Sequence, residues 1–122
     1  MYEDLAKELK KNTQVIESTF SKFNLKVLQV AYQPYAEDGD EDPDADCDLL
    51  IELTSINESP MLGDGHVKIN LYDENGDLIF HDNHMIFAEK FAGYDTYSFM
   101  LSHDCKTLRI AKSAKVYMSR NL

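Results

Sequence analysis

The sequence predicts a mainly β protein, a two-sheet antiparallel sandwich preceded by one amphipathic helix. Three observations carry this. Residues 65–87 read as a hairpin. About six or seven short strand patterns follow residue 24, with turn signals every ~8–12 residues. Only residues 3–23 have a clear helical period. In the hairpin, Val67, Ile69 and Leu71 alternate with His66, Lys68, Asn70 and Tyr72, the period-two pattern of a strand with one buried face. Glu74-Asn75-Gly76 follows, and Asn-Gly is a strong hairpin signal because both residues tolerate positive φ.

The remaining elements fit the same plan. Over residues 3–23, Leu5, Leu9, Ile16, Phe20 and Phe23 recur at three- and four-residue multiples. Glu3 and Asp4 lie in the first turn, where the helix dipole favours anions, and Asn24 is a stop. Residues 25–35 read as a strand with Leu28, Val30 and Tyr32 on one face and Val27 on the other; Pro34 ends its ladder. Residues 36–48 read as a solvated acidic loop. Cys47–Ser55 reads as the next strand, with Leu49, Ile51 and Leu53 inward and Cys47 packing beside them as a small hydrophobe. Residues 96–102 give another strand, with Tyr97, Phe99 and Leu101 on one face. Residues 107–119 close the chain as a strand whose parity breaks at Lys112, as a bulge would produce. At 122 residues the chain is long enough for one core, so residues 1–122 form a single domain with its sandwich over 25–119.

Charge is unevenly distributed. The net charge is −10, and Glu37–Asp48 holds eight acids and no base. Of the 22 acids, 14 remain elsewhere against 12 bases, so a nearly neutral domain carries one acidic segment. Such a balance argues against direct nucleic-acid binding, because phosphates are repelled and no basic stripe exists to release counterions. No apolar run approaches the length of a membrane span. Met1-Tyr2-Glu3-Asp4-Leu5 lacks a signal-peptide core, which leads to the expectation of a soluble, cytoplasmic protein with reduced thiols at Cys47 and Cys105.

Motifs for chemistry are sparse. The sequence contains no Gly-x-Ser-x-Gly, no His-Glu-x-x-His, no phosphate-binding glycine loop and no Cys-x-x-Cys. No catalytic residue, metal ligand or cofactor is therefore assigned, and a non-enzymatic role is expected. His81 and His84 are an odd number apart, which sends them to opposite faces of a strand. His103 and Cys105 share parity but match no zinc spacing. Asp38, Asp40, Asp42, Asp44 and Asp46 alternate as in a calcium loop, yet Pro43 stands where that loop needs Gly and Leu49 where it needs Glu.

The run Ile69-Asn70-Leu71-Tyr72-Asp73, continued by Glu74-Asn75-Gly76-Asp77, resembles the signature of FxLYD-type bacterial immunoglobulin-like domains. Gly93 followed by Phe99, and the strand over Leu49–Asn57, extend the resemblance across roughly residues 47–118. Ile69 stands where the motif has Phe. The resemblance implies an immunoglobulin-like sandwich and no catalytic residues.

Three functions follow as expectations. The first is a protein-interaction module that uses Tyr72 and Tyr117, which point away from the alternating apolar face, since tyrosine buries area while keeping a polar tip. The second is an acidic inhibitor or nucleic-acid mimic, with Asp38, Asp40, Glu41, Asp42, Asp44 and Asp46 entering a partner's basic groove. The third is a calcium- or carbohydrate-binding sandwich. The partner expected is a protein, with the N-terminal helix or a sheet face as candidate homodimer surfaces. Burying unpaired carboxylates costs several kcal/mol each, so the acidic segment is expected to contribute nothing to folding. Replacing residues 38–46 with a short Gly/Ser linker should leave the urea midpoint unchanged or slightly raised; a loss above about 2 kcal/mol would show that the segment docks or holds an ion.

Overall fold

The computed structural model describes residues 2–35, 46–102 and 106–121. Among them the elements run α1 (Tyr2–Lys11), β1 (Thr13–Val15), α2 (Glu17–Ser21), β2 (Leu25–Tyr35), β3 (Asp46–Ser55), β4 (Gly65–Tyr72), β5 (Leu78–Ile86), β6 (Tyr94–Ser102), α3 (Lys106–Ile110) and β7 (Ser113–Ser119). The strands form two sheets, β1-β7-β4-β5 and β2-β3-β6, packed as a sandwich. Every pair is antiparallel except β1 with β7, which run parallel from Thr13 opposite Ala114 to Val15 opposite Val116.

The core lies between the sheets and follows the alternation. Leu49, Ile51 and Leu53 of β3, Val67, Ile69 and Leu71 of β4, and Val116 of β7 have no exposed surface. Cys47 is equally buried at the end of the β3 row. In β2 the row is not Leu28, Val30 and Tyr32. The register with β3 slips between Val27 and Gln29, so Leu28 turns out to solvent while Val27, Val30 and Tyr32 face the core. A bulge inserts one residue and thereby reverses parity on one side of it.

The single helix expected over residues 3–23 is two helices with a strand between them. Thr13-Gln14-Val15-Ile16 is rich in β-branched residues, which lose χ1 freedom in a helix and fit a pleated edge. The Thr13 hydroxyl donates to the Leu9 carbonyl at 2.7 Å, which also accepts the Asn12 N–H at 3.1 Å, closing the end of α1. The chain then joins β7: Ala114 N–H donates to Asn12 O, and Ile16 N–H donates to Val116 O at 2.9 Å. After α2, Asn24 does mark a stop, with φ +63° and its side-chain amide on the Ser59 and Pro60 carbonyls.

Two further boundaries differ from expectation. The region expected as a strand over 107–119 begins as α3, whose Leu108 is buried, and Lys112 marks the change from helix to strand rather than a bulge. Its N–H donates to Tyr72 O at 2.8 Å, tying the start of β7 to the end of β4. Asp46, placed only in the acidic loop by composition, belongs to β3 with Cys47 and Asp48, the three paired with Tyr35, Pro34 and Gln33. Residues 36–45 and 103–105, including Cys105 and His103, lie outside the described residues.

The hairpin falls where the sequence puts it, but its turn has a different build. Gly76 N–H donates to Asp73 O, and Asp73 Oδ1 accepts the N–H groups of Asn75 and Asp77 at 2.9 and 3.0 Å. Only Gly76 has positive φ (+81°); Asn75 does not. This is a turn with one left-handed residue following it, in place of the two that an Asn-Gly I′ turn requires. A Cβ on Gly76 would meet nothing within 4 Å, so any substitution there costs backbone strain alone. Gly76→Val should therefore lower stability by about 1 kcal/mol or more in urea denaturation, and Gly76→Asn by clearly less, because Asn tolerates this region. Equal effects would contradict a left-handed Gly76.

Candidate functional site

The outer face of the four-stranded sheet can be read directly from the ladders. Inward residues Val67, Ile69 and Leu71 leave Lys68, Asn70 and Tyr72 of β4 on the outside. Their β7 partners are Tyr117, Lys115 and Ser113, and those of Lys68 and Asn70 on β5 are Asn83 and His81. Tyr72 and Tyr117, singled out from sequence, thus share one face on neighbouring strands. Tyr117 sits opposite Lys68, and Tyr72 lies four residues further along β4, about 13 Å at the rise of a strand.

Both rings are half-buried. Lys115 Nζ stands 5.5 Å from the centroid of the Tyr72 ring, and Asn70 Nδ2 donates to the Tyr72 hydroxyl at 3.2 Å. Tyr117 borders a shallow cavity of about 290 Å³ with Lys68, Asn70, His81, Asp82 and Asn83. Of the residues that alternation turns outward on this face, the charged ones are Lys68 and Lys115, both cations. A chain of net charge −10 therefore presents two lysines beside two tyrosines on this face, with Asp82 at the cavity's edge. At the end of the same face His66 is buried, and its Nδ1 has no hydrogen-bond partner among the described residues.

Asp38, Asp40, Glu41, Asp42 and Asp44 lie outside the described residues, and Asp46 starts β3 opposite Tyr35. Their segment connects two strands of the three-stranded sheet, whereas the tyrosines are on the four-stranded one. Lys68, Lys115 and Asn83 were not singled out from sequence, and His81 only as half of a rejected metal pair. Parity alone puts Lys68 outside, but its meeting with Tyr117 depends on β4–β7 register, which no local pattern encodes.

His81 and His84 point to opposite faces as their spacing requires. His81 borders the cavity, while the His84 ring lies 4.9 Å from that of Tyr97 and 6.1 Å from that of Phe99. The Tyr97 hydroxyl is pushed up to about 12 by burial and by the carboxylate of Asp95. Among the described residues no three His, Cys, Asp or Glu side chains converge on a common point. No described helix is long and apolar enough to cross a membrane.

No protein-family model and no curated protein matches the chain. Among solved structures it is similar to a protein from Bacteroides fragilis assigned as a β-galactosidase, at 11% identity and a TM-score of 0.39. That match covers 78% of this chain but 15% of the larger protein, and at this similarity it bears on no function.

Tyr32 carries the largest electrostatic consequence of burial. Its ionisation is pushed up to about 12, chiefly because the core would desolvate the phenolate. Its hydroxyl lies 2.9 Å from Thr13 Oγ1, whose own proton goes to Leu9 O, so Tyr32 donates and Thr13 accepts. The unfolded chain releases this proton near the ordinary value of about 10, and the folded one holds it to about 12. Stability is thus fully present below pH 10 and falls between pH 10 and 12, by an amount on the order of 2 kcal/mol. In Tyr32→Phe that part of the alkaline loss should disappear from urea midpoints measured across the window; an unchanged slope would place the phenol in water.

Proposed function

We propose that this protein is a non-enzymatic interaction module that binds another protein through the outer face of the four-stranded sheet. The observation that carries the reading is the joint placement of Tyr72 and Tyr117 beside Lys68 and Lys115 on one face of an otherwise acidic chain. Tyrosines contribute area with few rotors to immobilise, and half-buried rings are already partly ordered before contact, which lowers the entropy cost of binding. The two lysines favour a partner with an acidic patch and repel a basic one. The immunoglobulin-like resemblance, with no catalytic residues attached to it, agrees with a scaffold that presents a surface.

Lysate from the source organism passed over the immobilised protein, read by mass spectrometry, tests this. A partner retained by the parent should bind Tyr117→Ala at least about tenfold more weakly, with the urea midpoint little changed, and Lys68→Glu weaker again. Neutralising Asp38, Asp40, Glu41, Asp42, Asp44 and Asp46 to amides should leave capture intact. The reverse pattern, with capture indifferent to the tyrosine and lost on neutralisation, would move the function to the acidic segment.

A further inference from the structure

We infer that β5 is a self-pairing edge, through which two copies of this chain join their four-stranded sheets antiparallel with the two Asn83 residues facing each other. Sheet edges carry unpaired N–H and C=O groups, and folded proteins blunt them with short strands, proline, bulges, charge or a covering helix. The other edges here use these devices. The strand β1 has three residues. The strand β2 has Pro34 and a bulge at Leu28, and α1 packs on it. The strand β6 has a register slip near its end, carries Asp95, Thr96 and Ser98, and leads towards α3.

The strand β5 is defended less: its bulge falls at Ile79, near one end, and its one acid is Asp82. It is the last strand of its sheet, nine residues long, without Pro, Lys or Arg, and in unbroken register with β4 from Phe80 to Ile86. Phe80 and Ile86 pack on the core, but Leu78 is 52% exposed, Ile79 37%, Met85 38%, and Phe87 just beyond the strand 43%. The N–H of Asn83 donates to Asp82 Oδ1 at 2.8 Å. That N–H therefore points off the free edge, and by alternation so do the backbone groups of His81 and Met85.

A two-fold antiparallel pair must bring outward-pointing residues together, which leaves few registers. Centring on Asp82 sets Asp82 against its own copy. Centring on His84 sets Asp82 against Ile86, and centring on His81 sets it against Phe80. Centring on Asn83 sets each Asp82 opposite the partner's His84, so both carboxylates meet an imidazole donor. The same register puts Ile79 opposite Phe87, Phe80 opposite Ile86, and His81 opposite Met85. Hydrogen-bonding and apolar cross-strand pairs stabilise a ladder and like charges oppose it, so this register wins. The two Asn83 residues then exchange N–H···O bonds, replacing the local bond to Asp82. The occupant is a second copy because the strand is complementary to itself.

Sedimentation equilibrium of the full chain should give a concentration-dependent dimer. Facing residues of neighbouring strands have Cα atoms within disulfide reach, so Asn83→Cys should cross-link under mild oxidation well above the parent's background from Cys47 and Cys105. Asp82→His should weaken the dimer several-fold, and Asp82→His with His84→Asp should restore it, since the pair is then reversed across the two-fold. A chain that remains monomeric to about 1 mM, the weak end of specific association, overturns the proposal, even if its edge accepts a strand from another protein. So does a dimer in which Asn83→Cys fails to cross-link, or in which the double exchange rescues nothing.

Discussion

The sandwich is held closed on one side by the N-terminal segment, and most of the remaining structure depends on that closure. A four-stranded and a three-stranded sheet stacked face to face leave the margin between β7 and β2 open to water. Residues 2–24 fill it from both sides at once. Thr13–Val15 extends the first sheet by pairing with β7, while Ala6 and Leu9 of α1 are buried against the second. The Tyr32–Thr13–Leu9 chain of hydrogen bonds runs from β2 through β1 into the end of α1. Phe20 is fully buried, and Phe23 lies so close to Gly65 that a Cβ there would come within 2.6 Å of its ring. Gly65 is thus required by close approach rather than by backbone angle. The Thr19 hydroxyl takes the N–H of Met118, and the Arg120 guanidinium covers the outer side of Phe23.

That arrangement explains why α1 is an internal element more than a recruiting surface. Its apolar residues are consumed by the domain's own core, and its charged residues face water. The opposite margin is different. Between β5 and β6 the described residues supply no helix of comparable length, and there the ring of His84 meets those of Tyr97 and Phe99. The fold is therefore asymmetric across its width, with a finished side at β1 and β2 and an exposed side at β5.

How much of this was legible follows from the range of each signal. Alternation is local, so the rows Leu49-Ile51-Leu53 and Val67-Ile69-Leu71 were readable, as was the hairpin that joins β4 to β5. Helical period is also local, but Phe20 and Phe23 sit at helical multiples from Leu5 and Leu9 for a different reason: they return to one core from a separate part of the chain. The β-branched run Thr13–Ile16 was the contrary signal. The bulge at Leu28 reverses parity through β3 pairing, and Leu108 keeps strand parity while lying in a helix, so neither had a local mark. The site divides in the same way. Tyr72 and Tyr117 could be placed outside by parity, whereas their sharing a face with Lys68 and Lys115 comes from register between strands that are far apart in sequence.

The two proposals converge on β5. His81 and Asn83 border the cavity beside Tyr117, and they belong to the strand that would form the two-fold seam. Pairing there would produce one continuous eight-stranded face with two tyrosine sites, the two β4 strands lying three strand spacings apart, about 14 Å. A partner with two matching acidic segments would then meet both sites from one encounter, and the second contact would form at high effective concentration. The seam would also fix the backbone at the cavity's outer wall, lowering the cost of ordering His81 and Asn83 on contact. Self-association and partner binding would then be linked in free energy: a partner that prefers the paired edge tightens the dimer by the same factor by which the dimer tightens the partner.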